Sequence, residues 1–168
     1  MLRALSLAVS VLTVCLCASG QASKRPALGT YPARVERPRV RSINFKANPY
    51  ARTFRTRLSE AIRGGVNFAG HYVVAGWGCG TGCISGAIID ARTGNVFWPV
   101  QLYALSVGYD GRDYVGKPVE YRKNSRLLII RGSPGVKDND AEKPAGDYYY
   151  EWKGNTLKLI RFIPYKAK

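Results

Sequence analysis

Asn67-Phe68-Ala69-Gly70-His71-Tyr72-Val73-Val74-Ala75-Gly76-Trp77-Gly78-Cys79-Gly80-Thr81-Gly82-Cys83-Ile84-Ser85-Gly86-Ala87-Ile88-Ile89-Asp90 holds two apolar, β-prone runs on either side of a glycine-rich bend. A Cys-x-x-x-Cys pair closes the bend, so the stretch predicts a β-hairpin with strands over 66–77 and 84–90 and a disulfide at its tip. Along the first run, Phe68, Tyr72 and Val74 share one parity and His71, Val73, Ala75 and Trp77 the other. Neither face is polar, which predicts a mid-sheet strand covered on both sides.

Upstream, Asn48 can cap and Pro49 can open a helix running to residue 62, with Phe54, Leu58, Ala61 and Ile62 on one face. Arg52, Arg55, Arg57 and Arg63 lie off that stripe and are expected to form a basic surface. Downstream, 90–94 reads as a tight turn into a strand at 95–98, and 99–116 as a loop with a polar knot at 108–113. Two further hairpins follow, 118–121 with 126–131 and 147–152 with 156–163, separated by a loop at 132–146. The expected fold is α+β: one N-terminal amphipathic helix packed on an antiparallel β-meander of six to seven strands, with a disulfide-pinned hairpin tip. It occupies a single globular domain, 49–168.

The residues before that domain divide in two. Arg3, the apolar run 5–18 and the small residues ending at Ala22 read as a signal peptide over 1–22, too short to serve as a transmembrane anchor. Cys15 and Cys17 follow the bulky Val14 and Leu16, which argues against a lipid-anchor site. Cleavage after Ala22 leaves Cys79 and Cys83 in an oxidising compartment, periplasmic or secreted, where such a pair means a disulfide.

Residues 23–48 form a basic Pro/Arg-rich arm, read as extended because too few apolar residues recur in it to pack. The formal net charge is +15, and residues 24–63 hold eleven basic and two acidic side chains. In the cytoplasm such a balance would suggest nucleic acid. An exported chain meets an acidic protein or an anionic envelope component instead.

Three chemistries compete at Cys79-Gly80-Thr81-Gly82-Cys83: a structural disulfide, a redox pair, or two thiolate ligands. Redox dithiols sit at a helix start, and nothing helical follows Cys83, so the disulfide is expected. His71 shares parity with Trp77 and is expected to face Ser85 or Ala87 across the bend. That register leaves open a thiol-dependent enzyme using His71 with Cys79 or Cys83, against a buried structural histidine. One histidine and two cysteines also make a soft ligand set, but eight extended residues separate His71 from Cys79. Residues 138–142 have alternating acidic oxygens yet lack the glycine and closing glutamate of a calcium loop. No metal and no cofactor are expected. Tyr148, Tyr149, Tyr150 and Trp152, with Tyr109, Tyr114 and Tyr121, are divided between core and recognition.

Two resemblances bear on this. The run 87–98, with Asp90, Thr93, Gly94 and Trp98, resembles the D-x-x-T-G-x-x-x-W turn of quinoprotein propeller blades. It occurs once, so it implies hairpin geometry and no cofactor. The wider F-A-G-H-Y, W-G-C-G-T-x-C and D-x-x-T-G pattern over 67–96 resembles a family of small, exported, largely uncharacterised bacterial envelope proteins. That likeness implies an envelope protein and carries over no functional residue. The expectation is a small periplasmic interaction protein, such as an inhibitor or immunity factor for an envelope-acting enzyme. His71, Trp77, Gly78, Gly80, Thr81 and Gly82 are its candidate binding residues.

Overall fold

The computed structural model describes residues 25–38, 42–107, 117–137 and 140–166. The expected signal segment, the knot at 108–113 and the first two residues of the acidic run at 138–142 lie outside them.

The central hairpin is β1 (Tyr72–Gly80) and β2 (Cys83–Asp90), paired antiparallel from Tyr72 opposite Asp90 to Gly80 opposite Cys83. The first strand starts six residues later than expected. Ala69 and Gly70 take positive φ (42° and 89°), which turns the chain so that Phe68 bridges Tyr72. The outer edge of β2 is shared by two short strands, β3 (Val96–Phe97) against Ile88 and Ile89, and β4 (Leu105–Ser106) against Cys83 and Ile84. The mid-sheet strand is therefore β2, and β1 is an edge strand, contrary to the sequence reading. Its parity pattern still holds, because Val74 enters one core and Val73 and Ala75 another.

A second sheet, ordered β5 (Val119–Tyr121), β6 (Leu127–Gly132), β7 (Gly146–Lys153) and β8 (Thr156–Pro164), is a simple antiparallel meander. Ser106 and Ser133 exchange backbone hydrogen bonds of 2.9 Å and so link the sheets. Among the described residues the architecture is thus eight strands in two four-stranded sheets with one short α-helix, where a single meander of six to seven strands was expected. The segment read as a loop supplies β4 and a 3₁₀ turn at Val100–Leu102. Two-residue strands carry no period to read.

The helix is also shorter than expected. Pro49–Phe54 is 3₁₀, and only Arg55–Arg63 is α-helical (α1). Asn48 does not cap it: its amide donates to the Asn44 carbonyl (2.9 Å), and its Oδ1 accepts from Val96 N (3.3 Å), tying the segment to β3. Leu58 and Ile62 are buried against Val73, Ala75, Ala87 and Ile89. A separate core joins Val74, Ile88 and Leu105 to Leu128, Ile130 and Tyr150 of the second sheet.

The arm packs as well. Leu28 is buried with Leu127, Ile129 and Tyr149 in a third core. Tyr31 O accepts from Arg126 N (2.7 Å), and Ala33 N donates to Asn124 O (2.9 Å). Tyr148, Tyr149, Tyr150 and Trp152 are all buried, so β7 is covered on both faces and contributes no exposed ring.

Candidate functional site

The bend between β1 and β2 is held from three sides. Cys79 and Cys83 are bonded with their Cα atoms 5.1 Å apart. Gly80 (φ 145°) and Gly82 (φ 65°) close the turn in conformations that a side chain rarely adopts. Gly82 O accepts from Val107 N (2.8 Å), just past β4. Buried Ser85 donates from Oγ to Cys79 Sγ (3.3 Å) and accepts from Ala104 N (3.0 Å). This hydroxyl couples the disulfide to the loop that carries Tyr103. Gly78, Gly80 and Thr81 are exposed at the tip.

Trp77 lies beside the tip, in an aromatic slot on the α1 side of the sheet. Its ring stacks on Phe54 (4.6 Å between centroids), and Trp98 stands 5.5 Å from Phe54. Tyr50 packs edge-on against Trp98 at 5.0 Å. Pro99 and Tyr103 complete a cavity of about 210 Å³. Tyr50 and Tyr103 are 55% and 59% exposed, so the slot has two wet aromatic walls. Arg52 and Arg55 lie over the Phe45 ring at 5.8 and 5.7 Å and are exposed, as are Arg57 and Arg63.

Tyr50, Trp98 and Tyr103 were not among the expected binding residues. They lie on three separate segments with no common spacing, brought together by the pairing of β2 with β3 and β4 and by the Asn48–Val96 bond that ties the Tyr50 segment to β3. Trp98 had a local signal as the last position of the D-x-x-T-G-x-x-x-W turn.

The opposite face of the hairpin holds a second hollow. Gly76 faces Gly86, and Gly78 faces Ile84, so the floor lacks side chains. Val74, Ile84, Leu105, Val119 and Tyr121 wall a cavity of about 360 Å³, with Lys117 its one charged lining residue among the described residues. Burial holds the Tyr121 phenol above its ordinary pKa. Gly86 cannot be replaced freely, since a Cβ there would stand 2.7 Å from Ala75 O.

His71 is elsewhere. It precedes β1, its carbonyl accepts from Ala91 N (3.0 Å), and its ring lies tilted against Tyr72 (4.2 Å between centroids). Nδ1 lies 3.3 Å from Glu36 Oε1, and Nε2 is buried without a partner. Ser85 faces Trp77 and Ala87 faces Ala75, so neither faces His71 as expected. At about 3.3 Å per residue, His71 and Cys79 are roughly 26 Å apart along the strand. The structure assembles no His–Cys pair, and both sulfurs are already bonded. Among the described residues, no group of three or more His, Cys, Asp or Glu side chains is placed to hold a metal. Also among them, no helix is long and apolar enough to cross a membrane.

What the site can do is bind: a disulfide-closed tip, an aromatic slot and a glycine-floored hollow meet at one end of one hairpin. Comparison with family models, with curated proteins and with solved structures finds no match, so this geometry is what carries a function.

Proposed function

We propose that the protein is a small exported interaction module, periplasmic or secreted, that binds an acidic partner through the slot beside its disulfide tip. An inhibitor or immunity factor for an envelope-acting enzyme is the role this reading favours. The observation that carries it is the slot itself: Trp77, Phe54 and Trp98 are fixed by mutual ring contacts, while Tyr50 and Tyr103 remain open to solvent. Rigid aromatic rings lose little entropy on binding, and arginines beside them complement acidic side chains. The bonded tip adds preorganisation, and the strongly positive net charge speeds encounter with an acidic surface.

Capture from an envelope extract by the wild type, compared with the Tyr50→Ala/Tyr103→Ala variant, tests it. Both rings are exposed, so the variant is expected to fold normally. An acidic protein held by the wild type, lost in the variant and released by salt supports the proposal. Equal retention by both proteins refutes the slot as the binding surface.

A further inference from the structure

β1 has two edges, and only one is paired along its whole length. Antiparallel strands alternate residues that bond to a neighbour with residues whose N–H and C=O point away from it. On the outer edge of β1, Tyr72 N donates to Phe68 O (2.9 Å), and Tyr72 O accepts from Phe68 N (3.0 Å). Two residues on, Val74 N donates to Asn67 Oδ1 (2.8 Å), and Val74 O accepts from Asn67 Nδ2 (3.1 Å). The Asn67 side-chain amide thus stands where the peptide group of a neighbouring strand would stand.

Continuing the alternation, Gly76 and Gly78 turn their N–H and C=O groups the same way. No described residue bonds to them there, and both glycines are exposed. Natural edge strands are guarded by charge, proline or cover. At both outward-bonding positions here the residue is glycine.

The geometry points to β-strand addition at Gly76–Gly78 by an extended acidic segment of a partner protein, a pairing mode that rests on the acidic-partner reading above. Residues of the segment opposite Gly76 and Gly78 would exchange backbone hydrogen bonds with them. Cross-strand neighbours share a face, so those residues place their side chains over the glycine-floored hollow walled by Val74, Ile84, Val119 and Tyr121. The alternate residues project to the other face, the one on which α1 packs with exposed Arg55, Arg57 and Arg63. Apolar side chains toward the hollow and acidic ones toward the arginines therefore define the segment. A second copy of the chain is the wrong occupant, because two bodies each with a large net positive charge repel.

The probe is the peptide acetyl-Glu-Val-Glu-Val-Glu-Val-Glu-amide, with two relatives N-methylated on every valine or on every inner glutamate. Val nitrogens face Gly76 and Gly78, and Glu nitrogens face solvent. Methylation at valine is expected to weaken binding about tenfold or more, and methylation at glutamate to leave it nearly unchanged. Gly76→Pro removes one outward donor while sparing the bonds to β2, and it should reproduce the loss. On binding, the Gly76 and Gly78 amides should become protected from hydrogen exchange.

Binding indifferent to the methylation pattern, or no binding of the parent peptide, overturns strand addition. So does a concentration-dependent dimer abolished by Gly76→Pro, which would make a second copy the occupant. These outcomes are separate from the slot test: Tyr50→Ala/Tyr103→Ala can abolish capture while the edge binds nothing, and the reverse.

Discussion

Tyr150 is 1% exposed, and its hydroxyl has no hydrogen-bond partner among the described residues. Burial, and next the Tyr148 phenol, raise its pKa above the ordinary 10.0. Tyr148, Tyr149 and Tyr121 are raised as well, chiefly by burial. In the unfolded chain these phenols lose protons near pH 10. The folded chain keeps them, so above that pH the unfolded state binds fewer protons and stability falls as pH rises. Below pH 10 their contribution is intact. Alkaline titration followed by tyrosinate absorbance should therefore show these rings ionising together with unfolding. An unpartnered buried hydroxyl costs about 1–3 kcal/mol, so Tyr150→Phe is expected to raise stability by about 1 kcal/mol and delay the alkaline transition. A urea midpoint that falls would show that the hydroxyl has a partner. At the tip, a five-residue ring removes little chain entropy, and the double Cys79→Ser/Cys83→Ser protein should lose about 2 kcal/mol and stay folded. Cys79 is also joined to the Tyr103 loop through Ser85, so partner binding should fall further than stability does.

At the scale of the element, the glycines of the central hairpin separate into two kinds. A Cβ at Gly86 would press on the Ala75 carbonyl at 2.7 Å, inside the β1–β2 ladder, whereas a Cβ at Gly78 meets nothing within 4 Å. Gly86→Ala is expected to cost about 2 kcal/mol or more, since backbone atoms must shift. Gly78→Ala should stay within about 0.5 kcal/mol of wild type. Denaturant unfolding of the two variants measures the difference, and equal losses would refute this account of the hairpin. The same hairpin shows what a sequence can and cannot reveal. Its two strands, the disulfide and the two-faced burial of β1 were legible, because parity and turn residues are local signals. The edge position of β1 was not. It depends on β3 and β4, each two residues long, both pairing with β2. His71 was placed wrongly because the register, set by the two-residue turn between Gly80 and Cys83, runs back to Tyr72 opposite Asp90 and so brings His71 beside Ala91.

Across the whole molecule, a count of apolar residues misjudged the arm. Residues 25–38 hold few apolar side chains, yet Leu28 is buried in a core with Leu127, Ile129 and Tyr149, and Tyr31 packs against it. Polar contacts supply the rest. Ser125 Oγ donates to Leu28 O (2.6 Å), the Arg126 guanidinium donates to Pro32 O, and Arg25 pairs with Asp147 at 3.4 Å. None of these partners is near in sequence, so no local pattern announces them. Charge and packing in this segment can nevertheless be separated. Removing residues 25–33 uncovers the third core and strips the buried Ser125 hydroxyl of its acceptor. It should lower stability by more than the roughly 2 kcal/mol expected for loss of the disulfide. Arg34 and Arg37 are exposed, so Arg34→Gln/Arg37→Gln should leave the unfolding midpoint within about 0.5 kcal/mol of wild type. If the arm also recruits an acidic partner, the double variant should bind anionic vesicles or the captured partner more weakly at low salt. The difference should fade as salt screens charges beyond about 10 Å at 0.1 M. A double variant that binds as wild type does at every salt concentration would leave the arm a purely structural strap over the second sheet.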